Sequence, residues 1–203
     1  MGNEAKCVLR VEGKRYEGKA LLETNELIFR GAECRVKIAF GEMRGVTAQD
    51  GELRVKTKSD VTVFEVGAVA EKWREKILHP KTRIEKLGVK SGMCVALLGT
   101  VEDAFAKELR KSKAEVMNGN ADKGAALLFV PVEEKRGLSN IAKAAKKLKG
   151  AAALWVIYPK GQKEITEVEV IMAGRATGLT DVKVVGFSAT HTALKFVIPV
   201  EKR

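Results

Sequence analysis

The chain has 203 residues, a formal net charge of +11, 45% hydrophobic residues and 31% charged residues. This balance is typical of a folded globular protein with room for one large domain or two small ones. No apolar run approaches the roughly 18 residues that a membrane helix needs, and the first residues lack the apolar stretch of a secretory signal. We therefore expect no membrane span and a cytoplasmic location.

The cysteine and histidine content argues against a metal centre. Cys7, Cys34 and Cys94 are widely spaced, and His79 and His191 are the two histidines. No pair of these residues has the short spacing of metal ligands, and an odd number of scattered cysteines does not make a disulfide framework. The sequence predicts no metal site.

The first part of the chain alternates short strand patterns with turn signals over residues 6–66. Asp50-Gly51 is the strongest hairpin signal, and the residues after it alternate apolar and charged side chains, as in a half-buried antiparallel strand. A helix is predicted over 67–78, with an apolar stripe centred on Trp73. About seven strands followed by one helix are predicted.

The segment IAFGEMRGVTAQDGELRVKTKSDVTVFEV (38–66), followed by AEKWREKI (70–77), is similar to bacterial pleckstrin-homology-like domains. The resemblance covers about residues 5–79 and implies a small antiparallel β-barrel whose last helix plugs one end. Domains of this kind bind phosphoinositides, peptides or a neighbouring domain. Because the cations after the first strand are few and dispersed, we expect a protein partner rather than a lipid head group.

Beyond Pro80 the pattern changes to alternating strands and helices. Continuous apolar strands are typical of a parallel sheet that is buried on both faces. The helix over 165–177 is predicted from an apolar stripe of Ile165, Val168, Met172 and Ala176, although the segment TEVEVIM (166–172) within it also alternates like a strand. Strands are predicted over 93–98, 114–117, 125–130 and 151–158, helices over 101–112, 138–148 and 165–177, and a terminal antiparallel pair over 181–187 and 193–200.

The stretches LGVKSGMCVALLG (87–99), LWVIYPKG (154–161) and GLTDVKVVGFSATHTALKFV (178–197) resemble a bacterial family of unknown function. The resemblance implies a Rossmann-like, methyltransferase-like fold and brings no activity with it. Family members commonly have an aromatic residue near the position of His191. The predicted fold class is therefore α+β, with a pleckstrin-homology-like β domain at 5–79 and a Rossmann-like α/β domain at 83–203.

The features that hold a nucleotide cofactor in such folds are missing from the sequence. The first α/β strand is followed by Gly99 alone where a glycine-rich loop would approach S-adenosylmethionine. The second ends at Asn118 where an acid would bind the ribose, and Asp122 is four residues too late. There is also no GxGxxG or GxxxxGK[ST] motif. We predict no cofactor.

A ligand crevice is nevertheless expected where the strands end, because open α/β sheets bind ligands at the carboxyl ends of their strands. Lys160 follows a buried strand there, and a lysine at that edge suits a phosphate or carboxylate, although a solvated loop cation is the simpler interpretation. The candidate site for a small anionic ligand consists of Gly99, Thr100, Asn118, Lys160 and His191.

His191 lies in a polar turn with Ser188, Thr190 and Thr192. A histidine beside a hydroxyl can activate a nucleophile, but turns favour serine and threonine for their own reasons. No carboxylate lies close in sequence to orient the ring. We therefore predict a polar turn and no catalytic residue.

The positive charge is concentrated in the second part of the chain. Residues 1–80 hold 15 Lys and Arg against 13 Asp and Glu, whereas residues 81–203 hold 22 against 13. Clustered cations attract polyanions in a salt-dependent manner. However, aromatic residues make up only 5% of the chain, and none is predicted on the exposed basic helix faces, where it could stack on bases. A solvated face and a nucleic-acid contact both remain open.

These observations predict a non-catalytic pair of modules, one contacting a partner and the other carrying a degenerate ligand crevice. The first alternative is a divergent, methyltransferase-like transferase that acts at the crevice between Gly99 and Lys160. The second alternative is a weak nucleic-acid binder that uses the basic helices.

Overall fold

A computed structural model describes residues 3–119 and 124–203 of the chain. The chain divides into two compact units, residues 1–81 and 82–203. The first is a curled antiparallel sheet with one α-helix, and the second is a mixed α/β sheet with helices, so the α+β class is confirmed. No helix in the described part of the chain has both the length and the apolar character needed to cross a lipid bilayer.

From residue 3 onward, the first unit contains seven strands in the spatial order β4-β3-β2-β1-β7-β6-β5, each antiparallel to its neighbours. Asp50 and Gly51 both have positive φ, as the hairpin between β5 and β6 requires. Trp73 is buried in the core of this unit, as predicted. The elements are β1 Asn3–Val11, β2 Lys14–Leu22, β3 Glu26–Gly31, β4 Arg35–Ala39, β5 Gly45–Gln49, β6 Glu52–Lys56, β7 Val61–Glu65 and α1 Ala70–Leu78.

The described residues of the second unit form six strands in the order β12-β13-β11-β10-β8-β9. Strands β9, β8, β10 and β11 are mutually parallel, and β13 runs antiparallel to both β11 and β12. The elements are α2 Arg83–Leu87, β8 Cys94–Leu97, α3 Asp103–Lys111, β9 Glu115–Asn118, β10 Leu127–Pro131, α4 Ser139–Ala145, β11 Ala153–Pro159, α5 Glu167–Arg175, β12 Thr180–Gly186 and β13 His191–Val197. The opening strand β8 lies inside the sheet and the terminal hairpin lies at one side, which is the predicted Rossmann-like arrangement.

Helices cover both faces of this sheet. Along β10, Leu128 and Val130 face the core that includes α4 and α5, whereas Leu127 and Phe129 face the core that includes α2 and α3. Every residue of β11 is buried. The continuous apolar strands are therefore buried on both sides, as their sequences predict.

The inner face of α5 differs from the prediction. Val168 and Met172 are 63% and 65% exposed, while Val170 and Gly174 are buried. A side chain at position 174 would overlap the ring of Phe196. The close approach of the helix backbone to this ring fixes how α5 is rotated about its own axis. The spacing of apolar residues in the sequence does not reveal this contact.

Strand β12 forms one side of the sheet and is irregular. Its pairing with β13 shifts register between Asp181 and Lys183, so that Val182 bulges out of the ladder. Val182 and Val184 are about half exposed, at 52% and 49%. The Lys183 ammonium donates a hydrogen bond to the carbonyl oxygen of Lys86, 2.8 Å away.

Candidate functional site

Three connections of the second unit meet at the carboxyl ends of its parallel strands. The segment after β8 provides Thr100 and Glu102, the segment after β10 provides Glu133, and the β12–β13 hairpin provides His191. Together with Val101, Pro131, Ile157 and Phe187, these residues line a cavity of about 40 Å³. Carboxylate, hydroxyl and imidazole groups thus converge where open α/β sheets bind their ligands.

His191 is held by hydrogen bonds at both ring nitrogens. Its Nε2 lies 3.1 Å from Oε2 of Glu133, and its Nδ1 lies 2.8 Å from the hydroxyl oxygen of Thr190. Because a carboxylate accepts, Nε2 carries a proton in the neutral ring, and the Thr190 hydroxyl then donates to Nδ1. This tautomer leaves Nδ1 as the basic nitrogen, next to a hydroxyl.

Glu102 provides a second carboxylate near the ring, with Oε1 lying 3.8 Å from Nδ1 of His191. Partial burial raises the pKa of Glu102, but hydrogen bonds from Ser188 and Arg83 and the Arg83 charge outweigh burial and lower it below its ordinary value. Glu102 is therefore ionised at neutral pH. An imidazolium formed at His191 would lie between two negative charges.

Arg83 holds the carboxylate of Glu102 in place. Its guanidinium donates to both carboxylate oxygens of Glu108, at 2.9 and 3.0 Å, to Glu102 at 2.9 Å and to the carbonyl oxygen of Phe187 at 3.1 Å. It also lies over the rings of Phe105 and Phe187, 5.2 and 4.7 Å from their centroids. Its side chain is 14% exposed, so this cation is partly desolvated but well paired.

Lys160 lies at the end of β11, where it was predicted, and is bound to the hairpin turn. Its ammonium donates to the carbonyl oxygen of Ser188 at 2.7 Å, and its backbone N–H donates to that of Thr190 at 2.8 Å. These bonds hold the turn that carries His191. The ammonium keeps further N–H donors, and its contact with an anionic ligand remains a prediction.

The other three predicted site residues, Gly99, Thr100 and Asn118, do not lie together at the His191 cavity. Thr100 lines the cavity of His191. Gly99 packs against Pro131, whose Cγ lies 2.8 Å from the position that a Cβ on Gly99 would occupy. Asn118 is exposed at the end of β9 and does not line this cavity. The structure therefore brings Thr100 and His191 together, ties Lys160 to the same hairpin and leaves Asn118 apart.

The sequence did not single out Glu102, Glu133 and Arg83. Glu133 forms its hydrogen bond with a histidine 58 positions away. One signal was available, because both glutamates follow the ends of buried strands within a few residues. The ends of neighbouring parallel strands meet at one edge, so acidic residues in those positions are brought together irrespective of sequence distance.

S-adenosylmethionine, the cofactor typical of methyltransferase-like folds, does not find its usual contacts among the described residues. Gly99 packs closely against the ring of Pro131, and Asn118 has an exposed side-chain amide where an acid would bind the ribose. Asp122 lies outside the described residues. The cavity beside His191 measures about 40 Å³, whereas ligand pockets usually measure about 300–1,000 Å³. The described residues do not fit this cofactor.

Comparisons with known proteins give matches among solved structures. No protein-family model and no curated protein match the sequence. A TehB-like SAM-dependent methyltransferase from Corynebacterium glutamicum is 8% identical over 64% of this chain and 95% of its own, with a TM-score of 0.37. An O-methyltransferase family protein from Burkholderia thailandensis is 14% identical over 64% of this chain and 49% of its own, with a TM-score of 0.37.

A third solved structure, described as a pericyclic reaction enzyme, is 11% identical over 62% of this chain and 51% of its own, with a TM-score of 0.41. The chain spans about half the length of this enzyme and of the Burkholderia protein.

The prediction of a non-catalytic pair of modules is wrong. It rested on the degenerate cofactor contacts and on the absence of a catalytic constellation, yet Glu133 and Glu102 both lie beside the His191 ring.

Proposed function

We propose that the second unit is a divergent transferase that works at the carboxyl edge of its sheet, with His191 as the general base. One observation carries this proposal: the His191 ring is oriented by Glu133 at Nε2 and presents Nδ1 to a hydroxyl at 2.8 Å. A base that is oriented by a third group and in contact with a hydroxyl is the arrangement of proton-coupled group transfer.

The reaction that this geometry supports transfers a group to an O–H or N–H acceptor. The acceptor replaces the Thr190 hydroxyl at Nδ1 of His191. As the acceptor heteroatom bonds to the transferred group and the donor's leaving group departs with its electron pair, the acceptor proton moves to Nδ1. Glu133 and Glu102 stabilise the imidazolium, and the proton then passes to solvent. A cavity of about 40 Å³ accommodates only the reacting end of the acceptor.

The domain assignments are part of the same proposal. The second unit is assigned as Rossmann-like over 83–203 and the first as pleckstrin-homology-like over 5–79. The order of seven antiparallel strands followed by α1, with Trp73 buried, supports the second of these assignments. A cytoplasmic location also remains a prediction.

Transfer assays on the intact protein test the function. A panel of donors that includes isotope-labelled S-adenosylmethionine, acyl thioesters and nucleoside triphosphates is combined with mixed hydroxyl and amine acceptors, and product is measured. We expect transfer from at least one donor, and His191→Gln to lower kcat by about 10²–10⁴-fold with the melting temperature nearly unchanged.

His79→Gln is the matched control, because His79 is the other histidine and its side chain is 76% exposed in the first unit. We expect this variant to keep the wild-type rate. Absence of transfer from every donor, or equal rates for the two histidine variants, would contradict the proposal.

A further inference from the structure

The second unit carries a group of cations at the edge of its sheet opposite to the His191 site. Helices α3 and α4 run back from the carboxyl edge, so their last residues and the turns that follow lie where β9 and β11 begin. We call this the basic amino edge. It consists of Lys90, Arg110, Lys111, Lys113, Lys146 and Lys149.

Backbone hydrogen bonds fix the turns that carry these cations. The N–H of Gly92 donates to the carbonyl oxygen of Lys113 at 2.9 Å, which joins the turn before β8 to the turn before β9. The N–H of Ala152 donates to the carbonyl oxygen of Lys149 at 3.1 Å. The starts of β9, β8, β10 and β11 are also in register. Four strands at about 4.8 Å spacing make an edge about 14 Å wide, with α3 on one side and α4 on the other.

The six cations are exposed, and none of them forms an ion pair with another residue in the described ranges. Among the described residues, the acids on this side of the unit are few. Glu115 begins β9, Glu201 follows β13, and Asp181 is paired with Arg175 at 2.7 Å. The positive charge of this edge is therefore largely uncompensated.

Helix stability explains only part of this arrangement. Cations in the last turn of a helix interact favourably with its dipole, which accounts for Arg110 and Lys111. Lys90 and Lys149 lie in turns outside the α-helices, and Lys113 has the unusual φ of 58°. Their positions extend the positive surface from both helices across the sheet edge.

The chemistry around the cations indicates what they bind. The surrounding segments VKSG, LRKSKA and AKKLKG contain no aromatic residue. A membrane-binding surface adds apolar and aromatic side chains that enter the lipid, and a protein interface has aromatic anchors. A surface that offers charge alone matches the phosphates of a nucleic-acid backbone, which bind without regard to base sequence.

We propose that the basic amino edge binds the phosphate backbone of a nucleic acid. This site is separate from the His191 cavity, and its existence does not depend on the proposed transferase activity. Binding is electrostatic and independent of sequence, and it weakens steeply as salt is added because each phosphate contact releases a counterion.

Fluorescence anisotropy of the full chain with labelled single and double strands of about 20 nucleotides, over about 50–200 mM salt, tests this proposal. The amino-edge variant is Lys90→Gln, Lys111→Gln, Lys146→Gln and Lys149→Gln. We expect it to bind at least tenfold more weakly, with a salt slope about 3 smaller, since each lost cation removes about 0.7–0.9.

The matched control is Lys14→Gln, Lys56→Gln, Lys58→Gln and Lys72→Gln, which removes the same charge from exposed positions of the first unit. We expect its affinity to stay within about twofold of wild type, given that those lysines make no phosphate contact. Equal losses in the two variants would show that net charge alone binds, and would overturn the proposal. So would absence of nucleic-acid binding by the wild type at the lowest salt, whether or not anionic vesicles bind.

Discussion

The two edges of the second unit's sheet use charge in opposite ways. At the carboxyl edge, cations are held by partners within the protein: Arg83 pairs with Glu102 and Glu108, Lys135 pairs with Glu169, and Lys160 donates to the carbonyl oxygen of Ser188. At the amino edge, the six cations defined above are exposed and form no ion pair with a described residue. The comparison teaches that the same residue types fix geometry where they are paired and remain available to a partner where they are not.

The largest stability effect is expected at Arg83, because its removal leaves two carboxylates unpaired. Breaking a buried pair costs about 3–5 kcal/mol, and since Glu102 and Glu108 are each a third or more exposed we expect about 2–3 kcal/mol for Arg83→Met. Arg83→Lys keeps the charge but loses the bidentate and stacked contacts, so its loss should be intermediate. Urea denaturation measures both variants.

Arg175→Met is the control for this prediction. Its pair with Asp181 is exposed on the arginine side, at 64%, and we expect a loss of about 0–1 kcal/mol. If Arg83→Met were no more destabilising than Arg175→Met, paired cations at the carboxyl edge would have no special structural role.

A smaller effect is expected when the amino edge is neutralised. Each substitution in the amino-edge variant touches no ion pair of the described residues, so each should change the free energy of unfolding by less than about 0.5 kcal/mol. Because like charges are removed, the sum should be neutral or slightly stabilising at low salt. Urea denaturation at low and high salt gives the values. A clear destabilisation would mean that these lysines support the fold, as the carboxyl-edge cations do.

The smallest effect on stability is expected at Glu169, at the carboxyl edge, and it depends on pH. Hydrogen bonds from Lys135 and from the backbone of Thr166 lower the pKa of Glu169 to about 2. A carboxyl whose pKa is lowered by folding contributes stability that is present above its ordinary pKa and is lost as pH falls towards the folded value. Between about pH 5 and pH 2, Glu169→Gln should therefore lose less stability than wild type. Denaturation midpoints across this range are the measurement.

Glu164→Gln serves as the reference for Glu169, since Glu164 is exposed and has no ion pair with a described residue. We expect it to follow the wild-type pH dependence. Identical acid profiles for the two glutamine variants would show that the Lys135–Glu169 pair adds nothing to stability.

The sequence predicted the fold more fully than the site. Strands β10 and β11 were recognisable because both faces are buried, and the Asp50-Gly51 hairpin because its backbone needs positive φ. The prediction of which residues form the inner face of α5 was wrong, because the contact between Gly174 and Phe196 determines that face.

The residues that contact His191 come from loops that are far from it in sequence. His191 and Lys160 were noticed as individual residues, but pairing with Glu133 and Glu102 arises only when the strand ends meet. Sequence spacing contains no signal for that convergence other than the acids that follow each strand. The absence of a nearby carboxylate in sequence therefore did not mean its absence in space.

The bulge at Val182 has a consequence for how molecules of this protein meet one another. Strand β12 ends the sheet, and a regular, half-apolar strand in that position would offer a row of unpaired N–H and C=O groups to the same strand of another molecule. The register shift between Asp181 and Lys183 interrupts that row, and Lys183 adds a charge to it. Irregular pairing at one residue thus limits sheet-to-sheet aggregation while leaving Val182 and Val184 at the surface.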